Sequence, residues 1–341
     1  MESRLAVRSR QGADHAVLSD AQHAPIMDLK IKALLSGLST HIPGYDHKGS
    51  TGGTDSARYC YSVWLRHLVL GTRNAAVKSI PRVVAELGPG DSIGIGLAAL
   101  LTGAEKYFAL DLVQYSDLNK SQEIFDELVS MFASQSPIPG ESEFPFLYPK
   151  LDCYDFPRHL MGENRLRETL APERVAAIKS SVELSGAAGS MVSYKAPWTA
   201  PDVIDDGSVD LIFSQAVLEH IDDLRGVYAA MRRWLKPDGI MSHQIDFKCH
   251  GKANAWNGHW TYTDFVWKVI VGRRSYLLNR QPHSVHVNLM EQSGFKILDD
   301  TIFRSASQLR REELAARFRA LSDDDLTTSG AFIVAAVARG V

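Results

Sequence analysis

Cysteine is scarce in this chain of 341 residues: Cys60, Cys153 and Cys249 are an odd number with no C-x-x-C spacing. That argues against a disulfide framework, and a reducing, cytoplasmic setting is expected. An excess of charge of one sign is also missing, since 37 Lys and Arg against 40 Asp and Glu leave a net charge of -3. A nucleic-acid partner therefore gains no electrostatic support, and none is expected. Long apolar runs are lacking as well. The first two dozen residues mix Arg, His and Asp without an apolar segment, which suits neither a signal peptide nor a membrane anchor. Residues 1–24 are expected to be mobile, and no membrane span is expected. With 45% hydrophobic and 23% charged residues, what remains is a globular chain able to bury one large core or two modest ones.

What is present is a repeated strand-turn-helix-strand grammar. Val83 to Leu87 is a short apolar run that reads as a strand, and Gly88-Pro89-Gly90 turns the chain where bulk would keep a ligand away. Ile93 to Thr102 gives an apolar helix, Tyr107 to Leu110 the next strand, and Asp111 stands at that strand's carboxyl end. An acid there accepts hydrogen bonds from ribose hydroxyls. A ribose ligand follows, and the glycines decide which. A dinucleotide fingerprint counted from Gly88 requires glycine at position 93, where the chain has Ile93. Glu86, just before the turn, repels a diphosphate but tolerates a cationic ligand.

A second block repeats the pattern. The turn residues Asp205, Asp206, Gly207 and Ser208 introduce a buried strand, Val209 to Ser214. Leu218, Ile221, Leu224, Tyr228, Met231 and Leu235 then recur at helical spacing until Lys236-Pro237-Asp238-Gly239, and Gly239 opens the strand IMSHQIDF. A final strand is expected near Phe332 to Val337.

The first block resembles motif I of the class I S-adenosyl-L-methionine (SAM) dependent methyltransferases, with Asp111 as the motif II acid and Ser92 in place of the third glycine. The second block, D-x-I-x-S-x-x-V-L-E-H-I followed by L-K-P-D-G, resembles motifs IV to VI of the same family, in register and in order. The resemblance covers Val83 to Phe247. It implies an α/β, Rossmann-like class I methyltransferase fold: a mostly parallel seven-stranded sheet with an antiparallel last strand, a helical N-terminal lid and insertions. The implied cofactor is SAM. The positions implied to hold it are Glu86, Gly88, Pro89, Gly90, Ser92, Asp111, Leu112, Ser214 and Gln215. Many members carry an acid after the strand that here runs from Met191 to Tyr194, whereas this chain has Lys195, Ala196, Pro197 and Trp198. Adenine is then left to backbone groups or to Trp198, which reads equally well as core.

Domain organisation follows as residues 25–80, a helical lid, and residues 81–341, the SAM-binding domain with insertions at about 134–170 and 248–288. Helices are expected over 25–38, Ser116 to Ala133 and Ala171 to Leu184. Gly49 to Thr54 reads as flexible, and Thr54 or Asp55 is placed to cap the helix carrying Arg58, Tyr59, Tyr61, Trp64 and Leu65. As a lid, that helix brings Arg58 or Tyr59 to the methionine carboxylate of SAM. The alternative is plain packing on the domain edge.

A sulfonium methyl is already activated, so the protein must chiefly align the acceptor and exclude water. A hydroxyl acceptor also needs a base. Two sets lie beyond the strands' carboxyl ends: Gln215, Glu219 and His220, and His243, Asp246 and His250. Three positions apart, His243 and Asp246 face opposite sides of an unbroken strand, and only a residue at its end is free to meet a ligand. Asp246 fits as the base or as partner of a catalytic histidine, His250 or His220. His243, Asp246, His250 and His259 match no strong metal spacing, and no metal is expected.

From Lys248 to Asn288 the chain interleaves Trp256, Trp260, Tyr262, Phe265 and Trp267 with Lys252, His259, Arg273, Arg274, Arg280 and His283. Aromatic faces stack on sugars and Arg forks bind anions, so Trp256, Trp260, Arg273 and Arg280 are candidates to bind an acidic glycan. Alternatively these aromatics are the core of a small subdomain. SHQIDFK, W-x-Y-x-x-F-x-W and NRQPHSVHVNLMEQSGF resemble methyltransferases of bacterial surface polysaccharide synthesis. The expected activity is O-methylation of a sugar-containing or other small hydroxylated acceptor. An N-methyltransferase of secondary metabolism, a non-catalytic SAM-binding partner, an NAD-type oxidoreductase and a homodimeric state are left open.

Overall fold

The computed structural model describes residues 26–44, 53–73, 79–198, 200–274 and 276–338. The segment 1–24 and most of the Gly49 to Thr54 run lie outside them. Helices α1 (Ile26–Ser39) and α2 (Ala57–Arg73) precede strand β1 (Val83–Leu87), helix α3 (Gly94–Thr102) and strand β2 (Lys106–Leu110). Helices α4 (Leu118–Ala133), α5 (Glu163–Thr169) and α6 (Pro172–Glu183) lead to β3 (Val192–Lys195), then β4 (Val209–Gln215), α7 (Leu224–Trp234) and β5 (Leu235–Asp246). Helices α8 (Asp264–Val271) and α9 (His283–Gln292), strand β6 (Phe295–Arg304), α10 (Asp323–Thr327) and β7 (Thr328–Val337) complete the chain.

The strands form one seven-stranded sheet in the order β3-β2-β1-β4-β5-β7-β6. β7 runs antiparallel to both its neighbours, while the pairs from β3 across to β5 are parallel. This is the Rossmann-like arrangement expected. Strand order reverses between β1 and β4, so the crevice for a ligand opens at their carboxyl ends.

Both faces of the sheet are covered, and alternation along each strand divides the core. Val84, Phe213 and Val334 face a layer built on Tyr61, Trp64 and Phe125 of α2 and α4. Their neighbours Ala85, Ile212 and Ile333 face Tyr228, Met231 and Trp234 of α7. The expected lid helix α2 buries twelve of its seventeen residues. It is thus a layer of the core rather than a detachable cover. Its first turn is capped by Ser56, whose hydroxyl accepts from the Tyr59 amide at 3.4 Å, and not by Thr54 or Asp55. Thr54 is instead buried against the glycine turn, and Asp55 pairs with Lys120 at 3.5 Å.

Local chemistry explains the helix starts. The Asp117 carboxylate accepts from the Asn119 amide at 2.8 Å to open α4, and Asp223 accepts from Gly226 at 2.9 Å to open α7. Pro172 occupies the first turn of α6, where its missing amide hydrogen costs nothing. Several boundaries differ from expectation: Leu218 and Ile221 precede α7, which opens only at Leu224 behind its Asp223 cap, β7 begins at Thr328, ahead of Phe332, and β5 begins at Leu235, not after Gly239. Val209 pairs with Leu235 and Leu211 with Ile240, so residues 236–239 bulge from the ladder. The bulge is what lets Pro237, which has no amide hydrogen to give, sit within the strand.

Candidate functional site

The glycine turn closes over the end of β2: the Gly88 amide donates to the Leu110 carbonyl at 2.8 Å. Gly88 and Gly90 have φ of +67° and +75°, conformations that suit glycine. A Cβ on Gly88 would also lie 2.6 Å from a methyl of Val217. The turn therefore forms one wall of a cavity of about 320 Å³, with Asp111, Leu112, Trp198 and Val217 among the residues around it. Burial pushes the Asp111 carboxyl up, against the amides of Leu112, Val113 and Gly90, which favour its charged form. Trp198 is anchored beside it, its amide donating to the Asp111 carbonyl at 3.0 Å and its ring 5.4 Å from that of Trp234. A carboxylate at the end of β2, a wall without side chains and two apolar flanks, Leu112 and Trp198, fit a ribose nucleoside such as the adenosine of SAM.

Other expected cofactor positions lie behind this wall. Glu86 is 2% exposed and accepts a hydrogen bond from the Tyr107 hydroxyl. Burial pushes its carboxyl up to about 8, so near neutral pH it holds a proton instead of presenting the negative charge expected from sequence. Ser92, where the family has glycine, is fully buried; its hydroxyl donates to the Thr54 carbonyl and accepts from the Gly94 amide at 3.1 Å. It thus ties the start of α2 to the turn. Ser214 is buried against His243, Oγ to Nδ1 at 2.7 Å. Gln215 bonds the His67 ring at 3.3 Å, the Tyr148 carbonyl at 3.1 Å and Gln244 at 3.2 Å. Pro89 is buried within the turn.

Arg58 does not reach the cavity. Glu143 holds its guanidinium through two bonds of 2.6 Å on the outer side of α2. Tyr59 faces a second cleft, with its ring edge-on to Phe144 at 5.6 Å. Both are removed from the methionine carboxylate expected of them because α2 is fixed in the core with these side chains directed at the insertion.

The acid-base residues do converge. Asp246, at the end of β5, places Oδ2 3.4 Å from Nε2 of His250, and the His250 ring lies 5.3 Å from that of His220. Both histidines line the same cavity as Asp111 and the glycine turn, the candidate cofactor cavity. Burial pushes the Asp246 carboxyl up, but the His250 hydrogen bond and the Lys248 charge outweigh it and hold it below the usual carboxylate range. His220 is pushed down to about 4, first by burial and then by His250. His243 is the exception. It is wholly buried in the sheet and pushed down to about 3 by burial, so strand alternation turns it away from the cavity that Asp246 approaches. Among the described residues no group of three or more His, Cys, Asp or Glu is gathered as a metal site.

Sequence reasoning missed Tyr115 and Tyr276, whose hydroxyls bond each other on the cavity wall, with the Tyr276 ring edge-on to His220 at 6.2 Å. They lie far apart in sequence and belong to no motif, so no signal announced them. It also passed over Ala216 and Val217. Ala216 and His250 both have positive φ, +54° and +46°, and both border the cavity. Such strain is held where a neighbouring structure needs it.

The aromatic and basic segment resolves as packing. Trp260 is 0% exposed and its indole donates to the Arg280 carbonyl at 3.0 Å. Arg280 is buried with it, donating to the Tyr262 carbonyl at 2.7 Å and to Asp264 at 2.6 Å. Trp260 has no face to offer a sugar, and the guanidinium of Arg280 is taken up by the Tyr262 carbonyl and Asp264. Trp256 packs edge-on to Trp260 at 6.1 Å and donates to the Ala306 carbonyl. Arg273 is exposed where its amide meets Thr40, away from the cavity. The density of Trp is explained by two small clusters, one joining α1 to α8 and one under residues 314–326.

Residues 170–242 match the family model described as a methyltransferase domain. No curated protein sequence matches the chain. Among solved structures, an S-adenosylmethionine dependent methyltransferase from Mesorhizobium loti is 13% identical, covering 77% of this chain and 94% of its own, with a TM-score of 0.37. Phosphoethanolamine N-methyltransferase 2 of Haemonchus contortus, solved with S-adenosyl-L-methionine, is 13% identical, covering 84% and 57%, with a TM-score of 0.40. The matched segment runs from within the chain's middle through β4 and α7 into β5, and it is joined by a Rossmann-like sheet order with β7 reversed and a glycine turn facing an acid at the end of β2, an arrangement similar to that of class I methyltransferases. Among the described residues no helix is long and apolar enough to cross a membrane.

Proposed function

We propose that the protein methylates a hydroxyl of a small acceptor, with His250 as general base and Asp246 as the group that orients it. The observation that carries this reading is the Asp246–His250 contact of 3.4 Å at the edge of the cavity that also holds Asp111 and the glycine turn. SAM, when bound, supplies a methyl group already activated by its sulfonium charge. The residues of the chain then have three tasks. Gly88 and Gly90 leave room for the donor and Asp111 accepts hydrogen bonds from its ribose. Leu112, Trp198 and Val217 exclude water from the adenosine and the transferring group.

The third task is the acceptor's proton. Asp246 bonds Nε2 of His250, so that nitrogen carries hydrogen and Nδ1 is left to accept the proton of an approaching hydroxyl. The carboxylate, held ionised, stabilises the imidazolium that forms. His220, with its proton affinity lowered by burial, stays neutral and adds no positive charge near a cationic donor. Because Trp260 and Arg280 are committed to packing, the reading rests on a small hydroxylated acceptor and not on an extended acidic glycan.

Transfer from labelled SAM into fractionated extract, with mass analysis of the labelled species, identifies the acceptor. With that acceptor, Asp246→Asn should lower kcat by about 100-fold or more, the scale of a positioned base, while SAM affinity changes by less than about threefold. Turnover equal to the parent enzyme would remove Asp246 from the mechanism.

A further inference from the structure

We infer that the acceptor sits in a second cleft, on the other side of Ala216 from the cofactor cavity, and that this cleft selects a neutral ring bearing hydroxyl groups. The inference rests on the methyltransferase reading above and adds to it a place and a chemical class. The cleft measures about 290 Å³, close to the lower end of the range of about 300–1,000 Å³ for small-molecule pockets, so it suits one ring rather than a polymer. Ala216 lines both cavities, and the Asp246–His250 pair spans them: the carboxylate borders the cleft and the imidazole borders the cofactor cavity. A hydroxyl leaving the cleft past Ala216 thus meets His250 and the donor together.

The cleft's walls specify the ring. One wall is the end of the sheet, where Gln215 spends its NH2 on the Tyr148 carbonyl and on Oε1 of Gln244. Among the described residues no acceptor takes up the NH2 of Gln244, which is left as a donor for that wall. The network is fixed from behind by the buried His67, which bonds Gln215 at 3.3 Å and Ser242 at 2.8 Å. The opposite wall, residues 143–148 of the insertion, carries Phe144 and Phe146. Phe146 is 89% exposed, an apolar face on the rim with no packing role, placed to stack on a ring. Charge is balanced among the described residues: Glu143 is paired with Arg58, and Asp246 with Lys248 at 3.3 Å, so among them the cleft offers no spare cation to a phosphate or carboxylate.

The full chain saturated with S-adenosylhomocysteine is probed by saturation-transfer NMR with methyl β-D-glucopyranoside, 4-methylcatechol and glucose 6-phosphate. One neutral ring should bind, the sugar or the phenol, and its identity distinguishes the two sources of such a ring. Its affinity should fall at least fivefold in Phe146→Ala and in Gln244→Leu, while glucose 6-phosphate gives no signal. The inference is overturned if neither neutral ring binds, if S-adenosylhomocysteine displaces it, if both variants bind it unchanged, or if the phosphate ester is preferred. Calorimetry of S-adenosylhomocysteine on the same samples separates the two layers. Absent nucleoside binding in the parent refutes the methyltransferase reading, whereas retained nucleoside binding without a ring refutes only the cleft.

Discussion

Glu86→Gln tests how the cofactor turn is supported from below. The carboxyl is 2% exposed with one side-chain partner, the Tyr107 hydroxyl, and burial raises it from 4.5 to about 8. Each tenfold change in proton affinity is worth about 1.4 kcal/mol, so ionising Glu86 inside the fold costs about 5 kcal/mol. The folded chain binds this proton more tightly than the unfolded one. Its stabilising effect is therefore complete below pH 4.5 and is lost as pH rises through about 8. A glutamine keeps an oxygen for Tyr107 and has no proton to lose. Urea unfolding of both proteins between pH 5 and pH 8.5 should show Glu86→Gln gaining on the parent by about 1.4 kcal/mol per pH unit, about 4 kcal/mol in all. His67, His243 and His286, pushed down to about 3 by burial, give the opposite slope below pH 6.5, but they are common to both proteins and cancel in the difference. Parallel stability curves across this window would refute the account of a buried, protonated Glu86.

Three substitutions test the remaining assignments. Gly88→Ala puts a Cβ 2.6 Å from Val217 at a φ of +67°, which costs about 1–2 kcal/mol from the backbone alone; calorimetry should show SAM affinity down about tenfold or more, and unchanged affinity would separate the turn from the donor. Asp111→Ala removes the acceptor for the ribose hydroxyls and should weaken SAM by about 100-fold or more, two hydrogen bonds to a charged group at about 1.5–3 kcal/mol each; equal affinity would dismiss that role. Trp260→Ala, which empties a fully buried site and orphans the Arg280 carbonyl, should lose about 3–5 kcal/mol of stability by urea unfolding. A fold left intact with only acceptor binding impaired would restore Trp260 as a sugar platform.

The parts of the fold that sequence made legible are those in which one short segment carries its own signal. Val83 to Asp111 and Val209 to Asp246 each combine strand alternation, a glycine turn and an acid in a single stretch, and these became β1, β2, β4 and β5 with boundaries shifted by a few residues. Even the misplaced start of β5 has a local cause, since Pro237 reads as a stop unless the bulge opposite Val209 and Leu211 is known. Sequence misled where a residue's meaning depends on what lies across the fold. Arg58 has the chemistry of a carboxylate clamp, yet the carboxylate it meets is Glu143, from the insertion. Trp260 and Arg280 have the composition of a glycan site, yet they meet each other and Asp264.

The same dependence on distant partners explains why Asp246 could be singled out but its partner could not. Its place at a strand's end follows from counting in twos, whereas His250 and His220 were equivalent by spacing and differ only in their surroundings. His220 is enclosed and loses proton affinity; His250, at a φ of +46°, is turned back so that Nε2 meets the Asp246 carboxylate. In the proposed mechanism the base must reach both its orienting acid and its acceptor. Of the two, only His250 touches Asp246 while bordering the cofactor cavity, and the strained backbone at position 250 is what gives it both contacts.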